Sequence, residues 1–421
     1  MTREQKKLLI LGATHSEISV VERARAMGIY TIVTDNHTDW SAAPAKGVAD
    51  EAWNISWSDI NALAAKSREA GVDGVIAGFS EFRVENMIKL CHALSLPCYI
   101  NEEQLDITRD KVKFKQLCRE FDIPAVREYS IDDPGINFPV IIKPVDRAGS
   151  IGINVAYNER QYAEYLDLAL SLSPSKRVIV EDFIADGVKF ECFYVINNGV
   201  VELMGTNDTL MHSLSTPGHE TIQKAWIWPS LNEQDFIEHY DSKYRDMIRS
   251  LGFKNGHADI SCFYKDGICY VFEAGFRLTG EHSYDYQYAM TGSDHVQSMI
   301  RYALGMPTDD YTGPTVRPQA LIYMLYATTP TAQVVKSING LDSLKNDPKV
   351  IAVVPEANIG SQTKVNKPTK FAMITMLADN YEDVRSRIDS INKNVTLVTE
   401  SNVYHADADM SDEELKRYWP C

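Results

Sequence analysis

Residues 255–277 read N-G-H-A-D-I-S-C-F-Y-K-D-G-I-C-Y-V-F-E-A-G-F-R, and their reading decides the fold. Cys262–Lys265 ends a strand, Asp266-Gly267 is a hairpin turn, and Ile268–Glu273 returns. The arms of a hairpin lie side by side, so Asp259 and Glu273, fourteen residues apart in the chain, are expected to face one space. Two acidic side chains with a cation nearby are what a divalent metal carried by a nucleotide requires. Arg277 follows on the same arm, placed to stabilise charge on a transferring phosphoryl group. The next residues, L-T-G-E-H, add Glu281 as a candidate general base, with His282 its neighbour or a structural polar residue.

Upstream, F-P-V-I-I-K-P ends a mostly apolar strand on Lys143. An unpaired ammonium there is costly, so it needs an anionic partner. The tract that follows, D-R-A-G-S-I-G-I, supplies Gly149, Ser150 and Gly152, whose backbone amides suit a phosphate. Val178–Ile184, V-I-V-E-D-F-I, is an apolar strand end with flat walls and a backbone edge suited to an adenine ring. Glu191 is placed to accept ribose hydroxyls, although Lys189 or Asp186 can face the same way. Phe272, beside Glu273, counts among the nucleotide-contacting residues. These features together point to MgATP and an activated acyl phosphate.

The 421 residues and net charge of −16 bound the rest. The length implies several domains. The acidity argues against nucleic acid and an anionic membrane as partners. No apolar run reaches the ~18–20 residues of a bilayer span. Seven scattered cysteines without a C-x-x-C pair read as reduced thiols. With a first segment that enters a strand directly, they make a cytoplasmic protein the expectation.

Strands alternate with helices over the first hundred residues, which predicts a Rossmann-like doubly wound unit. Its first loop, L-G-A-T-H-S-E, lacks two glycines of the dinucleotide fingerprint, which counts against an NAD-dependent dehydrogenase. Asp35 reads as a ribose-binding acid or a loop acid. A helix is expected at Lys111–Phe121, and a long one at Phe236–Leu251. Thr206–Lys224 is polar and reads as a surface loop. A final α+β region follows from about Arg317.

In their order and spacing these segments resemble the ATP-grasp superfamily of carboxylate–amine ligases, including its carbamoyl-phosphate-synthase-like and biotin-carboxylase-like members. The resemblance rests on T-R-D-K-V-K-F-K, F-P-V-I-I-K-P-V-D-R-A-G-S-I-G-I, V-E-D-F-I and N-G-H-A-D…F-E-A-G-F-R, and it covers nearly the whole chain. It implies an α/β and α+β multidomain protein: a preATP-grasp domain over 1–105, an ATP-grasp domain over 106–312 with a lid near 125–187, and a closing subdomain over 313–421. It also implies that Lys111 and Lys143 contact phosphates, and that Glu181, Asp182, Phe183 and Ile184 cradle adenine. Asp259 and Glu273 would bind Mg²⁺ or Mn²⁺, and Arg277 would contact the acyl phosphate. Small-molecule carboxylate and amine substrates and a homodimer are the expected partners.

The pattern departs from the family at one position. Gly275 stands where E-x-N-x-R has asparagine, which removes a metal ligand. R-L-T-G-E-H matches the biotin-carboxylase pattern, whereas the glycine loop does not. Two alternatives therefore stay open: a bicarbonate-dependent carboxylase or carbamoyl-phosphate-type enzyme, and an ATP-binding regulatory protein without catalysis.

Overall fold

The computed structural model describes residues 5–145, 152–212, 222–308, 317–407 and 410–420. The expected Rossmann-like unit is present. Four parallel strands run in the order Glu51–Trp53, Tyr30–Thr34, Lys7–Leu11, Gly74–Ile76. Helices His15–Ala26 and Ile60–Ala70 and the short 3-10 turn Pro44–Gly47 connect them, and helix Glu81–Leu94 follows the last strand. The strands are short and nearly all apolar, as strands buried on both faces must be.

Helices Glu102–Arg109 and Lys111–Glu120 lead to a small antiparallel sheet of Glu128–Tyr129, Val178–Asp182, Val140–Pro144 and Asn154–Ala156. Helix Glu159–Leu172 covers it. This unit has its own core of Tyr129, Val140, Ile142, Ala156, Ala169 and Val180, separate from the larger clusters. A unit that buries its apolar surface internally can move as a body without opening another core.

The rest of the molecule is organised by an eight-stranded sheet, and the C-terminal region adds a three-stranded sheet of Val335–Asn339, Thr396–Thr399 and Val403–Tyr404. The order of the large sheet is Ile268–Gly275, Asn255–Lys265, Val188–Asn197, Val200–Met211, Gln223–Trp228, Ala320–Thr328, Pro368–Leu377, Val350–Pro355. The sheet passes the expected boundary near residue 313: Ala225 pairs with Tyr323 and Trp226 with Ile322. Helices Tyr381–Asn394 and Asp412–Tyr418 belong to the C-terminal region, and Val384, Ile388, Ile391, Leu415 and Tyr418 share a core with that half of the sheet.

Two expectations are corrected. The expected helix Phe236–Leu251 is two helices, Glu233–His239 and Asp241–Ser250, which meet at Tyr240 (φ −127°, ψ −36°). The Tyr240 hydroxyl donates to the Gly267 carbonyl at 3.0 Å, tying the break to the hairpin turn. The expected loop Thr206–Lys224 is strand at both ends: Val200–Met211 continues into it and Gln223–Trp228 begins in it. Polar side chains on that strand are buried on the sheet rather than solvated, which the polar composition concealed. Residues 213–221 of that stretch, with His219, lie outside the described residues.

Candidate active site

The 255–277 hairpin forms one edge of the large sheet. Asp266 and Gly267 both take positive φ (51° and 77°), the geometry of the two-residue turn that an Asp-Gly pair favours. Asp259 lies opposite Gly275 and Ser261 opposite Glu273, with an irregularity before Cys262 that leaves Phe272 as the extra residue. Side chains alternate along a strand, so Asp259, Ser261, Glu273 and Gly275 share one face. All four line a cleft of about 190 Å³ with Lys189, Glu191, Gln223, Trp226, Phe272, Arg277, Thr279 and Glu281 among its walls.

The electrostatics of this cleft are acidic. Asp259 is half-buried overall, but its Oδ1 is closed off from solvent and has no hydrogen-bond partner among the described residues. Burial pushes its pKa up to about 8; Arg277 opposes the rise, while Glu191, Glu281 and Glu273 add to it. Burial also raises Glu191, against the pull of Lys189 at 2.8 Å. Burial disfavours the charge on Arg277, yet Asp259, Glu81, Glu281 and Glu273 outweigh it and raise its pKa. Lys111 Nζ lies 3.8 Å from Glu273 Oε1. An orphaned buried carboxylate oxygen beside three further carboxylates fits a divalent cation, and Asp259 and Glu273 are the candidates to hold it. Among the described residues, no three His, Cys, Asp or Glu side chains form a complete metal cage by themselves.

Lys143 is buried, its Nζ 5.9 Å from the centre of the ring of Phe272, a wall of the cleft. It pairs with Glu181, and Glu181 also pairs with Lys115, whose other partner is Glu128 at 2.7 Å. Burial alone would raise Glu181, but Lys143 and then Lys115 bring it below the ordinary carboxylate range. Burial lowers Lys143 despite Glu181. The Glu181 side chain thus joins the strand Val178–Asp182 to Lys143 and to the helix that carries Lys115. Asp182 accepts from the Tyr129 hydroxyl at 2.6 Å, and the Phe183 amide donates to the Pro139 carbonyl at 3.1 Å. Phe183 and Ile184 are half-buried.

Gly152 takes φ +80°, and a Cβ there would meet Leu172 and Pro144 at 3.0 Å. Its glycine is therefore required by packing and backbone together. Gly149 and Ser150 lie outside the described residues.

Glu281 lines the cleft but His282 turns away. His282 Nε2 lies 3.1 Å from Ser16 Oγ, and its Nδ1 faces Asp285 at 3.5 Å. Its ring stacks on Phe79 at 6.0 Å. His282 therefore joins the hairpin unit to the N-terminal unit. Glu81, from that unit, approaches Arg277 at 3.9 Å. Behind the cleft His257 is buried, its pKa lowered by burial to about 4, and its Nδ1 lies 3.1 Å from the Arg277 carbonyl. A neutral imidazole there fixes the backbone that carries Arg277.

Sequence reasoning missed Lys115, Ser261, Gln223 and Trp226. Lys115 lies four residues after Lys111, one helical turn on, and that spacing is the only local signal for it.

Lys115 and Glu181 are 0% and 1% exposed, so removing the acid leaves two buried ammoniums facing each other. Glu181→Leu should cost about 3–5 kcal/mol. It should lower the melting midpoint far more than Lys115→Met combined with Glu181→Leu. A melting curve for Glu181→Leu that overlays the wild type would refute this account of the cluster.

Comparison with known proteins follows the same lines. The family model of the D-ala D-ala ligase C-terminus matches residues 127–213. The C-terminal section of the carbamoyl phosphate synthase large chain of Methanocaldococcus jannaschii is 22% identical over 66% of this chain. The matched region is 48% of that relative, so the chain spans about half its length. The biotin carboxylase domain of Hydrogenobacter thermophilus 2-oxoglutarate carboxylase, solved with MgADP and bicarbonate, superposes with a TM-score of 0.78. Identity is 18%, with 94% of this chain and 91% of that one covered. The L-amino acid ligase of Bacillus licheniformis gives 0.75 at 18% identity, over 95% of this chain and all of that one. The chain has the ATP-grasp fold, and the resemblance read from its sequence holds. Among the described residues no helix is long and apolar enough to cross a membrane.

Proposed function

We propose that the protein is an ATP-dependent ligase that activates a carboxylate as an acyl phosphate and joins it to an amine. The observation that carries this reading is the joint facing of Asp259, Glu273, Arg277 and Glu281 into one cleft. Lys111 stands at its mouth against Glu273. Lys111 and Lys143 would hold the phosphates, and the Glu181–Ile184 segment the adenine. Asp259 and Glu273 would hold the divalent ion, which supplies charge neutralisation at the phosphates.

The substrate carboxylate attacks the terminal phosphorus of ATP, the bond to the bridging oxygen breaks, and ADP leaves. Arg277 faces the charge that develops there. The amine nitrogen then attacks the acyl carbon, the carbon–oxygen bond to phosphate breaks, and Glu281 takes the amine proton. Closure of the lid excludes water from the acyl phosphate. Glycine at 275 does not argue for a disabled site, because the Asp259 carboxylate lies against that position.

The test is release of ADP and phosphate from MgATP by the pure protein, with carboxylates, amines and bicarbonate offered singly and in pairs. Release that depends on one carboxylate–amine pair, and falls at least ~10²-fold in Glu273→Ala, is the expected result. Release with bicarbonate as the sole carboxylate moves the reading to carboxylation or carbamoyl phosphate formation. ATP binding without release under any pair would favour a regulatory role.

A further inference from the structure

A second cavity, of about 320 Å³, shares no lining residue with the cleft. It opens between the N-terminal unit and the C-terminal region. The N-terminal unit supplies His15, the first residue of helix His15–Ala26, and Trp40, Ser41 and Pro44, which follow strand Tyr30–Thr34. Strand Val350–Pro355 supplies Val353 and Pro355 on the other side. Val354, between them, belongs to the cluster that reaches the cleft through Trp226. Side chains alternate along a strand, so the cavity and the cleft lie on opposite faces of the large sheet.

The walls are mostly aliphatic. Leu341 and Ala357 are buried, and Ile338 packs against the same core. Two large apolar side chains are left uncovered in the lining: Trp40 is 52% and Ile359 48% exposed. The charged groups of the wall cancel, since Lys345 and Asp342 pair with each other at 2.8 Å in solvent. Burial lowers the pKa of His15, against a hydrogen bond to Asn358, so its imidazole is neutral at pH 7. A neutral imidazole carries one donor and one acceptor. Ligand sites combine these features: a volume of about 300–1,000 Å³, apolar and aromatic walls, and a few polar groups that fix orientation.

We propose that this cavity is a binding site for a small uncharged molecule with a flat aromatic or heteroaromatic ring, stacked on Trp40 and oriented by His15. An indole with half its surface in water gains by covering itself with a second ring. The aliphatic walls opposite suit a flat apolar face. A charged ligand would give up its hydration to walls that hold no uncompensated charge, so the cavity selects for neutrality. The occupant would touch both units. Its polar contact, His15, is followed directly by Ser16, whose hydroxyl meets His282 at 3.1 Å. The site is separate from the ligase cleft and stands whether or not the ligase reading does.

The test is calorimetric titration of the full chain, with MgADP present to keep rings out of the nucleotide cleft. Indole, benzamide and nicotinamide are each titrated beside a charged counterpart: indole-3-acetate, benzoate and nicotinate. At least one uncharged ring should bind with a Kd below ~1 mM, and about 10-fold or more tighter than its counterpart. Trp40→Ala should weaken that binding about 10-fold or more. Ile359→Glu, which sets a charge in the neutral lining, should weaken it by a similar factor. Both side chains are exposed, so both variants should keep the wild-type melting midpoint. No binding by any of the three uncharged rings, equal binding of the neutral and charged forms, or binding unchanged in Trp40→Ala would each overturn the site.

Discussion

Gly275→Asn, which restores the residue usual in this motif, is expected to lose activity rather than gain it. A Cβ at 275 would sit 2.7 Å from Asp259 Oδ1, 3.1 Å from Oδ2 and 3.2 Å from Cγ. Real Cβ atoms do not approach that closely, so the carboxylate must swing aside. It is confined by a sheet face already crowded with Glu191, Glu273 and Arg277. Overpacking of this kind costs about 1–3 kcal/mol, and a displacement of order 1 Å in a positioning group costs on the order of 10²-fold in rate. ADP formation should therefore fall about 10²-fold or more, with a small drop in melting temperature. Gly275→Ala should show most of the same loss, because the clash begins at the Cβ and not at the amide. An asparagine variant faster than the wild type would show that the Asp259 carboxylate can yield, and that glycine at 275 is a defect.

That prediction also shows where sequence reading stops. The hairpin was legible because its signal is local: an Asp-Gly turn between two apolar arms, with an acid on each. Lys143 was legible because a lysine closing an apolar run has to find an anion, and it pairs with Glu181. The meeting of Asp259 with position 275 was not, since it depends on a register shift at Phe272 that no residue in the stretch announces. The sharing of Glu181 between two lysines from separate elements is likewise a tertiary fact, because Lys115 on an isolated helix looks like any solvated lysine. The passage of the sheet from Trp226 to Ile322 joins strands almost a hundred residues apart. Alternation predicts which side of a strand is buried, and is silent on which strand lies beside it. The break at Tyr240 was missed for the same reason: its anchor is a carbonyl of the hairpin turn, outside the window in which the helical period is read.

Asp259→Asn should abolish turnover and at the same time stabilise the metal-free protein at high pH. The first effect, a loss of ~10³-fold or more, follows from removing a carboxylate placed to hold the divalent ion at the phosphates. The second follows from the sign of the pKa shift. An unfolded aspartate titrates near 3.9, and Asp259 in the folded chain near about 8. Between those values the folded state binds the extra proton, so its stability falls as pH rises through that window. The favourable contribution is complete below about pH 4 and gone once the pH has passed about 8. The groups that set this are burial first, then Arg277 against it, with Glu191, Glu281 and Glu273 in support. Asparagine carries no charge to desolvate. The variant's melting midpoint in chelator should therefore match the wild type near pH 4–5 and exceed it by several degrees at pH 8.5. Such a cost in stability is the result expected of a group kept for function rather than for the fold. A midpoint below the wild type at pH 8.5 would show instead that attraction to Arg277 outweighs burial, and that Asp259 is a structural partner of that arginine.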